Sequence, residues 1–352
     1  MTAKRLIVAV FSLLLLGLAA YAVYWRVFAT RIPDIIAAWA EQQRGRGYAV
    51  SYGKVTVTGF PGAFRVTVAD PMLSRTDKRA AWRWHGGTIE SRVGPFDFRA
   101  TPFRVTDGSN LTYAPPPGGQ PVTATAARLS GRVVLTVDGQ PDDGVLQLEK
   151  LRLRWPDDAD GIRAAHARME ARWRAPTGDA ARDGRVDFTW TVSDIDIPED
   201  RAGPLGPKVR RFSGATSLTR LGPDLARIDD PNAAITAWRD GKGQLLVRAL
   251  RVEWGPLLVL AEGALALDQA MRPLGTVRTR TRGYRETLEA LVRKGLVPRD
   301  RAAKVLLMLN FFSRKPADGG RREIALPLAA RDGALYLGPL KLAPLPPLRP
   351  PS

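Results

Sequence analysis

Few side chains in this sequence have the types and spacing that catalysis or metal binding requires. There are two histidines, His85 and His166, and no cysteine, so thiolate metal sites and cysteine nucleophiles are excluded. Paired acids at 142–143, 157–158 and 229–230 each adjoin proline or glycine, which is typical of solvated turns. The spacings of a zinc protease, a nucleophile elbow and a phosphate-binding loop are missing. We therefore expect no enzyme activity, no catalytic or metal-binding residues and no cofactor.

Arginine is the abundant polar residue. Of 53 basic residues 43 are arginine, and the 35 acidic residues leave a net charge of +18. Arg278, Arg280 and Arg282 alternate with smaller residues along one predicted strand, so their guanidinium groups share a face. That face either lies in solvent or contacts anionic groups such as lipid phosphates. No aromatic and basic recognition motif accompanies the charge, so we expect no nucleic-acid partner.

An apolar N-terminal segment is the strongest single signal. Two basic residues precede a run from Leu6 to Trp25, which at about 1.5 Å per residue spans a bilayer core of about 30 Å. The flanking charge predicts a cytoplasmic N-terminus and export of the rest of the chain. Small residues at 20 and 22 also fit a cleavage site, so a signal-anchor over 1–30 and a cleaved signal peptide are both open.

The segment 31–47 predicts a second, juxtamembrane helix. Its isoleucines and Trp39 recur at helical spacing, with glycine at the end. This amphipathic helix either packs on the sheet that follows or lies at the membrane surface.

From 48 to 342 the pattern is mainly that of strands. Runs of alternating apolar and polar residues recur between Asp-Gly and proline turn signals. We predict a mainly β (α+β) exported domain, with one N-terminal transmembrane helix, a large curved antiparallel sheet and a few covering helices near the C-terminus. A resemblance between 151–155 and 250–254 leaves open two related sheet units with a boundary near 198–207. A Pro-rich extended tail, 343–352, follows.

Helices are few in this part of the chain. Residues 231–238 predict a short helix, and a pair of helices is predicted between Tyr284 and Phe312. Each helix of the pair is too short to cross a membrane. We expect the pair to cover one end or edge of the sheet as a lid, contacting its apolar face through Leu288, Leu291, Leu309 and Phe312.

The stretch Val55–Pro71, VTVTGFPGAFRVTVADP, predicts strand, turn and strand. The apolar side chains of this hairpin are expected to face inward: Val55, Val57, Phe64, Val66 and Val68. A lone hairpin cannot bury such a face, so another element must cover it.

Several short motifs carry a family resemblance: Gly59-Phe60-Pro61, Asp70-Pro71, Asp332-Gly333 and Gly338-Pro339. With the anchor and the Trp-bearing helix, they resemble a family of uncharacterised, membrane-anchored exported proteins of Gram-negative bacteria, known as a domain of unknown function. More distantly, 250–342 resembles the ending of AsmA-like envelope proteins. That resemblance implies a long curved sheet behind one inner-membrane helix, with lipid held on its apolar face. Neither resemblance supplies catalytic residues.

Two functions are consistent with these features. The first is a membrane-tethered β-scaffold of the bacterial envelope that binds or shields lipid on an apolar sheet face. The second is a non-enzymatic envelope adaptor that docks a protein or an anionic polymer through Arg-rich faces. Both predict a single-pass protein of the inner (cytoplasmic) membrane with most of the chain in the periplasm. The expected partners are the inner membrane and either lipid or another envelope protein.

Overall fold

The computed structural model describes nine segments of the chain: 3–76, 81–115, 119–136, 141–158, 160–174, 184–222, 231–315, 322–338 and 340–348. These segments contain four helices and nineteen strands, and the strands pair in antiparallel β-sheet. The predicted mainly β class is confirmed. The chain divides into two units: Met1–Gln140 with Arg152–Ala159, and Pro141–Leu151 with Asp160–Ser352.

The first unit consists of a long helix and antiparallel strands of 3 to 15 residues. Its elements are α1 (Ala3–Gly45), β1 (Ala49–Ser51), β2 (Val55–Thr58), β3 (Phe64–Ala69), β4 (Met72–Thr76), β5 (Ala81–Val93), β6 (Ala100–Ala114), β7 (Val122–Ala126), β8 (Arg128–Leu135) and the last residues of β9 (Pro141–Arg154). One edge of β5 pairs with β4 and then β3, and its other edge pairs with β6. The outer pairs are β1 with β4, β2 with β3, β6 with both β7 and β8, and β7 with the end of β9.

α1 is one continuous helix of 43 residues. The sequence predicts an anchor followed by a separate helix over 31–47, but Pro33 lies inside the helix and does not end it. Helix-favouring residues follow Pro33, and the first strong stop is Gly47 at φ 83°. The part from Phe11 onward contains a window long and apolar enough to cross a membrane.

The C-terminal half of α1 covers the apolar face of the β2–β3 hairpin. Trp25 is 6% exposed and stacks on Phe64, which is fully buried, at 5.0 Å between ring centroids. Val57 and Val66 pack against the same cluster. Helix α1 is thus the cover that the hairpin requires, and Trp25, the predicted end of the anchor, lies in a protein core.

The Gly-Phe-Pro-Gly turn is the part of the hairpin that receives α1. The indole N–H of Trp25 donates to the carbonyl of Gly62 at 3.1 Å, and the Tyr21 hydroxyl donates to the carbonyl of Pro61. Gly59 has φ 114°, and a Cβ there would lie 2.1 Å from the carbonyl oxygen of Ala63. The motif therefore requires glycine, and its role is structural.

Asp70-Pro71 lies where β3 passes into β4 along the same edge of β5. Asp70 has φ 45°, its N–H donates to the carbonyl of Gly87 at 2.7 Å, and the carbonyl of Pro71 accepts from Gly86 at 3.1 Å. The dipeptide thus joins two strand segments that share one partner strand.

The second unit is a meander of consecutive strands with three helices. Its elements are the first part of β9, β10 (Ile162–Arg174), β11 (Arg185–Asp196), β12 (Lys208–Leu218), α2 (Pro231–Asp240), β13 (Leu245–Trp254), β14 (Leu257–Leu267), β15 (Pro273–Arg282), α3 (Tyr284–Arg293), α4 (Arg299–Phe311), β16 (Ser313–Arg314), β17 (Glu323–Arg331), β18 (Ala334–Leu337) and β19 (Leu340–Pro344). Each strand from β9 to β15 pairs with the next, and β15 pairs with β17. β17 also pairs with β16 and β18, and β18 pairs with β19.

The stretch 198–207, a predicted unit boundary, is the connection between two paired strands. β11 and β12 are in register up to Asp196 and Lys208, and the N–H of Ile197 donates to the carbonyl of Pro207 at 2.7 Å. Strand pairing across this connection keeps both sides in one unit, so the division between units falls near 140–160 instead.

Candidate functional site

The sheet of the second unit has two chemically different faces. Because successive side chains of a strand point to opposite sides, the strand register assigns each residue to a face. One row across β10–β15 and β17 reads Met169, Trp190, Gly214, Leu250, Ala261, Thr279 and Leu326. The neighbouring row, on the other face, reads Arg168, Thr191, Ser213, Arg251, Leu260, Arg280 and Ala325. We call these the apolar face and the arginine face.

Nearly buried carboxylates anchor several guanidinium groups of the arginine face. Asp187 accepts a 2.6 Å hydrogen bond from the Ser217 hydroxyl and forms an ion pair with Arg185 at 3.1 Å. Glu253 pairs with Arg210 and with Arg251, each at 2.5 Å. These carboxylates neutralise part of the positive charge of the face.

The pKa values of both carboxyl groups are lowered. Burial alone would raise the pKa of Asp187, but the Ser217 hydrogen bond and the charges of Arg185 and Arg248 outweigh it. The pKa of Glu253 is lowered for the same reason: burial would raise it, but the hydrogen bonds and charges of Arg251 and Arg210 lower it by a larger amount. Both groups are therefore charged in the folded protein at neutral pH.

Acid is expected to destabilise this face. A carboxyl group whose pKa falls on folding stabilises the fold fully above its unfolded pKa, about 4, and loses that contribution as the pH falls through the lower folded value. The melting temperature should be level from neutral pH to about 5 and fall below about 4. Asp187→Asn should cost about 1–3 kcal/mol at neutral pH and reduce the loss in acid. Asp240→Asn, at a carboxylate that is 61% exposed, is the control. It should change neither the stability at neutral pH nor the loss of stability in acid, and thermal unfolding at several pH values measures both.

The three arginines that the sequence singles out lie together on this face. Arg278 pairs with Glu262 at 3.3 Å, and Arg282 pairs with Glu323 at 3.2 Å. Arg280 is exposed and lies between them on β15. Two of the three guanidinium groups are thus engaged by carboxylates of the chain itself.

An apolar cavity lies at one end of the apolar face. It has a volume of about 530 Å³ and lies between α2 and the sheet. All of its lining residues are apolar, and the main ones are Trp173, Leu218, Ile235, Trp238, Leu245 and Leu265. The volume is within the range of ligand pockets, about 300–1,000 Å³. Beyond α2 the apolar face continues with half-buried side chains such as Trp190 and with Phe212, which is 39% exposed.

Local contacts hold α2 above the cavity. The indole N–H of Trp238 donates to the carbonyl of Thr219 at 2.8 Å. Gly243 permits this approach, since a Cβ there would lie 2.0 Å from the indole nitrogen. The C-terminal tail completes one wall: Leu348 lines the cavity, and its N–H donates to the carbonyl of Met271 at 2.9 Å. The predicted extended tail thus lies along the fold as far as residue 348.

The predicted lid, α3 with α4, packs elsewhere on the same unit. The cavity and α3 lie at opposite ends of β15. Pro273, the first residue of β15, lines the cavity, and α3 begins just after Arg282, the last residue of β15. Leu288 is 9% exposed next to a smaller cavity of about 350 Å³ between the two helices, and Leu309 packs on Tyr284 and its neighbours. Leu291 is half-buried, and Phe312 is 41% exposed. None of these four residues lines the 530 Å³ cavity, so α2 is its cover.

The remaining motif residues form turns. Asp332 and Gly333, at φ 51° and 67°, connect β17 to β18, and Gly338 at φ 57° donates its N–H to the carbonyl of Pro327 at 2.9 Å. Pro339 lies outside the described residues. Within the part of the chain that the structure describes, no group of three or more His, Asp or Glu side chains has the geometry of a metal site.

The cavity is a feature that the sequence does not predict. Its walls come from five strands, α2 and the tail, and the alternation of each strand shows only that one side is apolar. The available signal was the spacing of Ile235 and Trp238 on α2, which marks one apolar side of a short helix.

Comparisons with known proteins give one match. A family model described as an uncharacterized protein conserved in bacteria (DUF2125) matches residues 25–346. Neither the comparison with curated proteins nor the comparison with solved structures gives a match. The matched range begins at Trp25 and includes the hairpin that α1 covers, both faces of the second unit and nearly all of the cavity lining.

Proposed function

This chain belongs to the bacterial DUF2125 family, and we propose that it is a membrane-tethered β-scaffold of the cell envelope that binds lipid in the cavity beneath α2. The observation that carries the proposal is the cavity itself: about 530 Å³, lined by apolar residues alone. Polar ligands need hydrogen-bonding partners in such a site, whereas a hydrocarbon chain needs none.

The surroundings of the cavity support a long apolar ligand. The apolar face extends from the cavity along β10–β14 with half-buried side chains, so a chain longer than the cavity has an apolar path to follow. The distant resemblance of 250–342 to the ending of AsmA-like proteins points to the same ligand class.

Membrane attachment is the second part of the proposal. The window within Phe11–Gly45 is long and apolar enough to cross a bilayer, and Phe11, Leu13 and Leu16 are 62–70% exposed. Such side chains are stable in lipid and costly in water. We place this helix in the inner membrane as a signal-anchor, with the two β units in the periplasm.

The adaptor function is less well supported by the contacts. An adaptor that docks an anionic polymer needs guanidinium groups free to pair with it. On the arginine face Arg282 pairs with the nearly buried Glu323, and Asp187 and Glu253 each pair with arginines, whereas Arg280 and the Arg278 of an exposed pair face solvent. The lipid-binding scaffold is therefore the function we propose.

A cavity-filling substitution tests lipid binding. Ala234 on α2 lines the cavity, and Ala234→Trp places an indole where the ligand would lie. We expect lipid that co-purifies with the detergent-extracted full chain to fall about tenfold, the ratio that corresponds to a loss of ~1.4 kcal/mol. Mass spectrometry of extracted lipid, normalised to protein, measures this.

Ala237→Trp is the matched control, because Ala237 is on the same helix and is exposed. It should keep the lipid content of the parent. Equal lipid in the parent and in both variants would contradict binding in this cavity, and so would a parent protein that carries no lipid.

A reporter fusion tests the membrane topology. Alkaline phosphatase fused after Ser352 folds only in an oxidising compartment and is expected to be active, whereas a cytoplasmic reporter at the same position should be inactive. The opposite result would place the β units in the cytoplasm. Sequencing the mature N-terminus distinguishes the anchor from a cleaved signal peptide.

A further inference from the structure

Helix α4 has apolar side chains on two opposite sides. On the inner side, Leu306 and Leu309 pack against the cluster of Tyr284, Ile324 and Leu326, and Ala302 is buried. On the outer side, Leu307 is 75% exposed and Phe311 is 84% exposed. The inner residues are spaced by four and three positions and the outer ones by four, so each set follows one side of the helix.

The outer side continues into the segment after α4. Phe312, just after the helix, is 41% exposed and contacts the Phe311 ring at 5.3 Å between centroids. We call Leu307, Phe311 and Phe312 the outer patch. Within the described residues, no contact shields Leu307 and Phe311 from water. Contiguous exposed apolar side chains of this kind mark surfaces that bind a partner.

The charges around the outer patch indicate the chemistry of that partner. Between residues 293 and 315 there are seven basic residues and one acid, Asp300. The basic residues are all exposed: Arg293, Lys294, Arg299, Arg301, Lys304, Arg314 and Lys315. Lys304 lies one turn before Leu307 on the same side of the helix. Long basic side chains beside exposed leucine and phenylalanine match the region where lipid acyl chains meet anionic headgroups.

We propose that the outer patch is a membrane-docking surface that inserts Leu307 and Phe311 into the interface of a bilayer containing anionic lipids. This surface lies apart from the cavity beneath α2, and the inference does not depend on lipid binding there. The same chain carries a candidate membrane-spanning helix, which would hold the protein at a bilayer. Docking gives the exposed side chains an apolar environment and pairs basic residues such as Lys304 with lipid phosphates. Arg314 already pairs with Glu323 at 3.4 Å and contributes less to this attraction.

The absence of cysteine from the chain allows a clean test with the full-length protein. Leu307→Cys provides a single site for an environment-sensitive fluorophore, and the labelled protein is reconstituted into vesicles that contain lipids with a quencher on the acyl chain. We expect quenching at this site in vesicles of phosphatidylglycerol and phosphatidylcholine, and weaker quenching in phosphatidylcholine alone. Ala270→Cys is the control, since Ala270 is exposed in the β14–β15 connection, and it should not be quenched.

Lys304→Gln in the Leu307→Cys background tests the role of charge. Removing one cation near an anionic surface should lower the ratio of docked to undocked protein about fivefold. Three results of the quenching experiment would overturn the proposal: no quenching at position 307, equal quenching at 270 and 307, or quenching at 307 that depends neither on anionic lipid nor on Lys304. A blue-shifted emission that depends on protein concentration and not on the quencher would also overturn it, because a second copy of the chain would then cover the patch.

Discussion

Phe64→Ala is expected to destabilise the first hairpin by about 3–5 kcal/mol, the usual cost of removing a buried phenylalanine. Phe64 is fully buried, stacks on Trp25 and lies within 6.5 Å of the Phe28 ring. Its loss leaves a cavity between α1 and the strands that neither rigid element can close. Amides of β2 and β3 should then exchange with solvent about two to four orders of magnitude faster, as hydrogen-exchange mass spectrometry of the detergent-solubilised protein will measure.

Phe96→Ala is the control for this prediction. Phe96 belongs to the same aromatic group, at 5.6 Å from the Tyr24 ring, but is 77% exposed. Its removal should change exchange in β2 and β3 little, because exposed side chains contribute about 0.5 kcal/mol or less. Equal exchange in the two variants would show that α1 does not cover the hairpin as described.

Leu326→Asp is expected to cost about 3–5 kcal/mol, because it places an unpaired charge in an apolar cluster. Leu326 is 7% exposed on β17, beneath Leu306 and Leu309 of α4. The expected result is loss of the packing of α3 and α4 on the sheet, with faster amide exchange in both helices and in β17.

The same substitution on the opposite side of α4 provides the control. Leu307→Asp changes a side chain that is 75% exposed, so the stability of the fold should be unchanged within about 0.5 kcal/mol. The same variant should weaken membrane docking, which separates the structural side of α4 from the docking side. A Leu326→Asp protein as stable as the parent would contradict the packing of α4 on β17.

The two faces of the second unit explain an otherwise puzzling composition. A chain with 43 arginines is expected to repel itself, yet buried carboxylates such as Glu253 bring pairs of guanidinium groups together on one face. On the other face, the row that runs from Met169 to Leu326 contains no charged residue. An apolar face of this kind is suitable for lipid only if nothing of the chain covers it fully, and Phe212 remains 39% exposed there.

Local chemistry was enough to predict much of this protein. The run from Leu6 to Trp25 predicted a helix of membrane-spanning length, because twenty apolar residues have few other stable environments. Alternation with a period of two predicted the strands, the mainly β class and the shared face of Arg278, Arg280 and Arg282, since the geometry of a strand sets that period. Glycine at 59 and at 333 marked turns, because both positions have positive φ.

Contacts between distant parts of the chain decided the rest. Trp25 looks like the end of an anchor, but Phe64, 39 positions later, makes it part of a core. Pro33 looks like the start of a new helix, but helix-favouring residues on both sides make it part of one continuous helix. The stretch 198–207 looks like a boundary between units, but the strands on its two sides pair with each other. The cavity requires strands, α2 and Leu348 to meet around one space. Residue types show that a side chain prefers an apolar environment, but only the tertiary structure shows whether another part of the chain provides it.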